Sequence, residues 1–191
     1  MGVEASLTGH LVFSTLHTNS APESITRLLD MGMDPFNFAD ALLGILAQRL
    51  AKRLCSCKEA YVPEPAELRS FVTEYVQDLQ HTKPWKEDYG GEAQKLYEGW
   101  VEAYGQDGQL HFHRAVGCEK CNKSGYKGRV GLHELLVGDD DIKKLIQERA
   151  RVAELFVSAV AAGMRTLKMD GMEKIMMGMT DLKQVRSVCI K

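Results

Sequence analysis

Residues 9–21 read Gly-His-Leu-Val-Phe-Ser-Thr-Leu-His-Thr-Asn-Ser-Ala, and they give the clearest indication of the fold. A short apolar, β-branched run between a glycine and a group of turn formers is typical of a buried strand. In parallel α/β sheets, ligands bind at the carboxyl ends of strands, which is where His17 falls. The stretch therefore predicts a strand that ends in a candidate functional histidine, although a structural histidine is the commoner occupant of such a position.

Two helices are predicted to follow this strand. Serine and asparagine precede a helix over about residues 21–31, and Gly32 lies where that helix should end. Asp34 opens a second helix, which apolar residues at steps of three and four extend to about Leu54. The polar residues at its C-terminal end would favour the helix dipole: Gln48, Arg49, Lys52 and Arg53.

The middle of the chain reads as a helical insertion. We predict helices over about residues 63–80 and 92–104, a strand within 109–116, and turns followed by a short strand over 125–137. The remainder is predicted to be helical, over residues 139–149, 152–162, 167–177 and 181–188.

The composition is that of an ordinary globular protein, with 45% hydrophobic and 26% charged residues. A net charge of −2 gives no general attraction to nucleic acid or anionic lipid. There is no apolar run long enough for a transmembrane segment, and the first residues lack the features of a signal peptide. We therefore expect a cytoplasmic protein, in which clustered cysteines indicate a metal site rather than disulfides.

Four of the five cysteines form two close pairs on either side of the insertion, Cys55-Ser56-Cys57 and Cys118-Glu119-Lys120-Cys121. Four thiolates satisfy the tetrahedral preference of Zn²⁺ and leave no position for a catalytic water. We predict a structural zinc ion that closes the loop of the insertion, with unliganded cysteines or a disulfide as the alternative. Cys189 stands alone near the end of the chain and is predicted to be a packing residue.

The second cysteine pair is the stronger half of this signal. Gly125 follows it and can adopt a positive φ where the chain turns away beneath the ion, as in a zinc knuckle. In the first pair, residues i and i+2 of an extended segment face the same way, so both thiols can reach one ion. His111 and His113 are reserve ligands should Cys57 not bind.

Residues 8–21 resemble the histidine box of the secretion ATPases, the hexameric motors of type II secretion and of type IV pilus assembly or retraction. The likeness continues through residues 27–32 and 48–55 and through short C-terminal segments at 163–167, 170–171 and 180–182. Over about residues 61–117 only the position of an insertion matches. The first cysteine pair also departs from the family's usual C-x-x-C spacing.

The resemblance implies a helix-rich α/β fold, the C-terminal part of a RecA-like P-loop ATPase domain with a cysteine-rich zinc-binding subdomain that carries a helical insertion. Residues 1–54 would end the ATPase core, residues 55–130 would form the metal-binding subdomain, and residues 131–191 would form a C-terminal helical region. In the family, ATP hydrolysis around a homo-hexamer drives domain rotations that are passed to an inner-membrane platform protein. The implied protein is cytoplasmic, is peripheral to the inner membrane through the platform and cytoplasmic secretion-machinery proteins, and binds no nucleic acid.

His17 and His10 are the catalytic residues that the resemblance implies. His17 would sense or position the γ-phosphate of ATP, because an imidazole can donate a hydrogen bond to a phosphate oxygen. Alternation along a strand from His10 to Leu16 puts the two histidines on opposite faces, so we expect them to differ in role. His10, at the strand entry, would hold a neighbouring segment in register.

The sequence contains no G-x-x-x-x-G-K-S/T loop and no strand ending in paired acids that could hold Mg²⁺. The family carries both features before its histidine box. The chain therefore resembles the C-terminal portion of a longer ATPase, which binds ATP and Mg²⁺ only at full length, and alone it is expected to be inactive. The alternatives are a zinc-stapled docking domain and a zinc-ribbon module for nucleic acid, and the slightly acidic charge disfavours the latter.

Overall fold

The computed structural model describes residues 2–189. Its helices are α1 (Gly2–Leu7), α2 (Ala21–Asp30), α3 (Pro35–Ala41), α4 (Pro65–Val76), α5 (Lys83–Glu87), α6 (Tyr89–Tyr104), α7 (Asp140–Gln147), α8 (Val152–Ala161), α9 (Leu167–Met176) and α10 (Leu182–Val188), with a 3-10 turn at Glu119–Cys121. Its strands are β1 (Gly44–Leu54), β2 (Glu59–Tyr61), β3 (Phe112–Arg114) and β4 (Tyr126–Val137). β1 pairs with β4, and β2 pairs with β3. The predicted helix-rich α/β class is confirmed.

Two compact units make up the chain. Unit 1 comprises Met1–Ala47 and Glu134–Met164, and unit 2 comprises Gln48–His133 and Arg165–Lys191. The three-part division into residues 1–54, 55–130 and 131–191 stays a prediction. Among the helices of residues 2–189, none combines the length and the apolar character needed to cross a membrane.

Unit 1 is a small helical assembly. In it α3 packs on α1 and α7, while α8 packs on α2 and α7. The buried apolar side chains of this unit include Ile25, Leu29, Phe38, Leu42, Leu136, Ile142, Ile146 and Leu155. The predicted first helix is confirmed as α2, whose Ser20 cap accepts a hydrogen bond from the N–H of Glu23. Gly32 follows its end with φ +91°.

The predicted long helix from Asp34 to about Leu54 is wrong. Asp34 does cap a helix, but α3 ends at Ala41 and the chain continues as β1. A Cβ at Gly44 would lie 2.9 Å from the carbonyl oxygen of Leu136, so the two backbones approach as only a glycine allows. Pairing with β4 satisfies the backbone there and overrides a local periodicity that suits a helix equally well.

The predicted buried strand over residues 10–16 is also wrong. Residues 10–18 have no regular secondary structure. Leu11 and Phe13 are 68% and 88% exposed. A strand satisfies its backbone groups by pairing with a neighbour, and within residues 2–189 no named strand pairs with this segment. The alternation argument that placed the two histidines on opposite faces therefore loses its basis.

Unit 2 is built on an aromatic core that the insertion supplies. β2 and β3 pair antiparallel, and both α4 and β3 pack on α9. The ring of Phe71 lies 4.7 Å from that of Phe112, and the ring of Tyr75 lies 4.8 Å from that of Trp100. Other buried members are Val76, Trp85, Leu110, Met169, Met172, Ile175, Met176 and Val185. The two predicted helices of the insertion are confirmed as α4 and α6, and β4 is longer than the short strand predicted there.

Candidate functional site

The four cysteines of the two predicted pairs lie together in unit 2. Cys55 directly follows β1, and Cys118 and Cys121 bracket the 3-10 turn. All four sulfur atoms lie within 4.8 Å of one another. The Sγ atoms of Cys55 and Cys118 are 3.9 Å apart, as are those of Cys57 and Cys121. Cys118 and Cys121, within their own pair, are 3.8 Å apart.

This geometry fits a tetrahedral zinc ion. With Zn–S bonds of about 2.3 Å, the sulfur atoms of a regular tetrathiolate site lie about 3.8 Å apart. Three of the six sulfur separations, at 3.8–3.9 Å, match that edge, and all six lie within 4.8 Å. All the cysteines are free thiols, so the sulfur atoms are available as ligands. A closed four-sulfur set leaves no position for water, which suits a structural ion rather than a catalytic one.

The backbone around Cys121 shapes the second half of the site. Its Sγ accepts hydrogen bonds of 3.2 Å from the N–H groups of Cys118 and Gly125. These bonds, that from Cys118 above all, lower the pKa of Cys121 to about 6. Gly125 has φ +78°, as predicted, and a Cβ there would lie 2.6 Å from the Cβ of Ala115. The knuckle therefore requires glycine both for its φ and for the space.

The first half of the site is joined to the second through the backbone. The N–H of Cys55 donates a 2.9 Å hydrogen bond to the carbonyl oxygen of Gly125. A backbone hydrogen bond from Cys57 lowers the pKa of Cys55, whereas burial raises the pKa of Cys57 to about 11. Because Zn²⁺ binds thiolates, metal binding would displace a proton from Cys57.

The reserve ligands and the fifth cysteine lie outside this group. Among residues 2–189, the set close enough to share one ion contains the four cysteines and neither His111 nor His113. The ring of His113 lies against Gly178, where a Cβ would come within 2.7 Å of its Cε1 atom. Burial lowers the pKa of His113. Cys189 packs at the edge of the aromatic core.

The two predicted catalytic histidines lie in unit 1 and are exposed. His10 follows α1, and its backbone N–H donates a 3.1 Å hydrogen bond to the carbonyl oxygen of Ala5. Its Nδ1 atom lies 3.2 Å from that same oxygen and 3.2 Å from Oγ1 of Thr8. His10 therefore caps the end of α1. His17 lies near the end of the irregular segment, and the catalytic roles of both histidines stay predictions.

Sequence reasoning missed Glu134. This residue of β4 is 4% exposed, and its Oε1 accepts a 2.7 Å hydrogen bond from the N–H of Ala21, the first residue of α2. The available signal was strand alternation, since Leu132, Glu134 and Leu136 share one face and the two leucines are fully buried. A carboxyl group on the buried face of a strand needs hydrogen-bond donors, and α2 provides one.

Comparison with known proteins agrees with the sequence resemblance. The family described as "Type II/IV secretion system protein" matches residues 1–187. The chain belongs to this family. Its relatives include the type IV pilus assembly ATPase PilB of Thermus thermophilus, 40% identical over 186 residues that cover 97% of the chain and 18% of the relative. The type II secretion system ATPase E of Vibrio cholerae is 39% identical over 191 residues, covering 98% of the chain and 31% of the relative.

A third member of the type II/IV secretion family, the type IV pilus assembly ATPase PilB of Myxococcus xanthus, is 40% identical over 97% of the chain and 28% of its own length. The predicted relationship to the secretion and pilus ATPases is confirmed. The chain spans between 18% and 31% of the length of these three relatives.

Proposed function

We propose that this chain is the C-terminal portion of a hexameric secretion-motor ATPase that powers type II secretion or type IV pilus assembly. The observation that carries the proposal is the family match over residues 1–187. Identities of 39–40% with proteins named as ATPases of both systems support it. In this proposal, residues 1–54 complete a RecA-like core whose phosphate-binding loop lies elsewhere in the full-length protein.

The four cysteines hold a structural zinc ion in this proposal. Support comes from the 3.8–3.9 Å sulfur separations and from the glycine-dependent turn at Gly125. The ion ties the end of β1 to the start of β4 across the insertion. ATP and Mg²⁺ bind only in the full-length protein, and the chain alone is inactive.

In this proposal His17 acts on the γ-phosphate, and His10 acts through stability or assembly. The exposure of His17 supports access to a nucleotide bound by other parts of the protein. The assembled homo-hexamer works in the cytoplasm, next to the inner membrane, and transmits its motion to the platform protein and other secretion-machinery proteins.

The proposal is tested by deleting, in the organism that carries the gene, the region that encodes residues 1–191 and restoring it from a plasmid. We expect the deletion to abolish either secretion through a type II system or assembly of type IV pili. The wild-type copy should restore the lost process. Normal secretion together with normal pili in the deletion strain would contradict the proposal.

A further inference from the structure

We propose that Glu134 is a positioning residue for His17, because it fixes the turn that leads from that histidine into α2. This inference rests on the proposed function, in which His17 acts on the γ-phosphate. Both residues belong to unit 1, although they are far apart in the sequence. Glu134 is buried against the turn, so its effect on turnover would pass through His17.

The hydrogen bond between Glu134 and Ala21 anchors the start of α2. Oε1 of Glu134 lies 2.7 Å from the backbone nitrogen of Ala21, and both residues are buried. The first N–H groups of a helix have no partner within the helix, and a carboxylate is favourable next to them because of the helix dipole. A rigid strand thus holds the residue four positions after His17.

Hydrogen bonds within the turn connect this anchored end of α2 to the residue that follows His17. Oγ1 of Thr18, the residue after the histidine, lies 2.6 Å from Oγ of Ser24 on α2. Ser24 is buried, and its hydroxyl donates a 3.1 Å hydrogen bond to the carbonyl oxygen of Ser20. The backbone that follows His17 is therefore tied to α2, and α2 is tied to Glu134.

The N-terminal side of His17 lacks comparable support in this part of the chain. Residues 10–16 are irregular, and their large apolar side chains are exposed. In the described part of the chain, residues 2–189, the side-chain hydrogen bonds beside His17 are made by Thr18 and by the turn that follows it. The direction of the imidazole then depends on the C-terminal anchor, and small displacements of a catalytic group lower the rate strongly.

The test is a double-mutant cycle between Glu134 and His17, measured as ATP turnover and nucleotide affinity of the full-length ATPase. Glu134→Ala removes the acceptor, and Glu134→Asp, one methylene shorter, withdraws it from Ala21. Glu134→Gln keeps an oxygen at the same reach. Glu23→Gln is the matched control, since Glu23 is an exposed acid in the first turn of the same helix.

We expect Glu134→Ala to lower kcat by about ten- to a hundredfold while nucleotide affinity changes by less than about threefold, as for a displaced catalytic group. Glu134→Asp should resemble the alanine variant, and should Glu134→Ala not fold, the aspartate variant takes its place in the cycle. Glu134→Gln should retain most of the parent rate, and Glu23→Gln all of it. In a His17→Ala background, Glu134→Ala should lower kcat no further.

Two results would overturn the inference and leave the proposed function intact. One is an unchanged kcat in both Glu134→Ala and Glu134→Asp while His17→Ala is impaired. The other is a decrease in kcat by the same factor when Glu134→Ala is introduced into the wild-type and the His17→Ala proteins, which would show a purely structural role. Normal turnover in His17→Ala would instead contradict the proposed role of the histidine, and this inference with it.

Discussion

The hydroxyl of Tyr75 donates a 2.7 Å hydrogen bond to Oε1 of Glu173. Tyr75 belongs to α4 of the insertion and Glu173 to α9 near the end of the chain. The same oxygen accepts a 2.6 Å hydrogen bond from Nε of Arg165. Burial raises the pKa of Tyr75, so its hydroxyl keeps its proton even at alkaline pH. The insertion is thus fastened to the C-terminal helices by polar contacts as well as by its aromatic core.

Removing this hydroxyl should weaken unit 2 measurably. We expect Tyr75→Phe to lower the free energy of unfolding by about 1 kcal/mol, because Glu173 keeps its contact with Arg165 and only one hydrogen bond is lost. For a chain of this size, that corresponds to a fall in Tm of about 2–4 °C in calorimetry. Tyr89→Phe is the control, since Tyr89 is 47% exposed. Equal Tm values for the two variants would show that the bond to Glu173 contributes nothing.

We predict one zinc ion per chain, held by Cys55, Cys57, Cys118 and Cys121. Elemental analysis of protein purified without chelator should give a zinc to protein ratio near one. Cys118→Ser should lose the ion and destabilise the chain by about 3 kcal/mol, because an incomplete set of three thiolates binds zinc too weakly to retain its contribution to folding.

Cys189→Ser is the matched control for the metal site. It changes a thiol of the same chain that packs outside the cluster, so zinc content should be unchanged and the loss of stability small. Metal-free wild-type protein, or equal effects of the two serine variants, would mean that the four cysteines are merely packed.

Gly125 and Gly128 separate the effect of backbone conformation from that of crowding at the knuckle. Both have positive φ, +78° and +81°, but a Cβ at Gly128 would meet no atom within 4 Å, whereas one at Gly125 would lie 2.6 Å from Ala115. Gly128→Ala should therefore cost only about 1–2 kcal/mol of unfolding free energy. Gly125→Ala should cost more and weaken zinc binding in a competition titration with a chelator. Equal zinc affinities for Gly125→Ala and Gly128→Ala would contradict the steric explanation.

The correct predictions from the sequence concern features that depend on neighbouring residues or on a distinctive set of side chains. The Ser20 cap and Gly32 bracket α2 as expected, and Gly125 has the positive φ that the knuckle spacing required. The clustering of the four cysteines was predictable because two close pairs of thiols are typical of a tetrahedral zinc site.

The errors arose where pairing over long sequence distances decides the conformation. The leucines at 43, 46 and 50 suit a helix, yet β4 provides a partner strand that no local pattern reveals. Residues 10–16 have the composition of a strand but lack a paired neighbour in residues 2–189. For Glu134, strand alternation indicates burial, but its hydrogen-bond partner, the N–H of Ala21, is distant in sequence and no local pattern reveals it.

The chain by itself should neither hydrolyse ATP nor bind it tightly. The sequence contains no glycine-rich loop whose backbone could cradle the phosphates, and an exposed histidine cannot replace one. Phosphate release by the purified 191-residue chain should equal that of a blank without protein. Turnover above the blank that His17→Ala abolishes would show a complete site within this chain.

The most direct test of the account is ATP turnover by the full-length ATPase carrying His17→Ala, measured beside His10→Ala with nucleotide affinity and hexamer formation checked for both. We predict that His17→Ala lowers turnover by about ten- to a thousandfold with nucleotide binding largely retained, as when one positioned polar group is removed. His10→Ala should act through stability or assembly, because His10 caps α1. Normal turnover of an assembled His17→Ala hexamer would contradict the account and make that histidine structural.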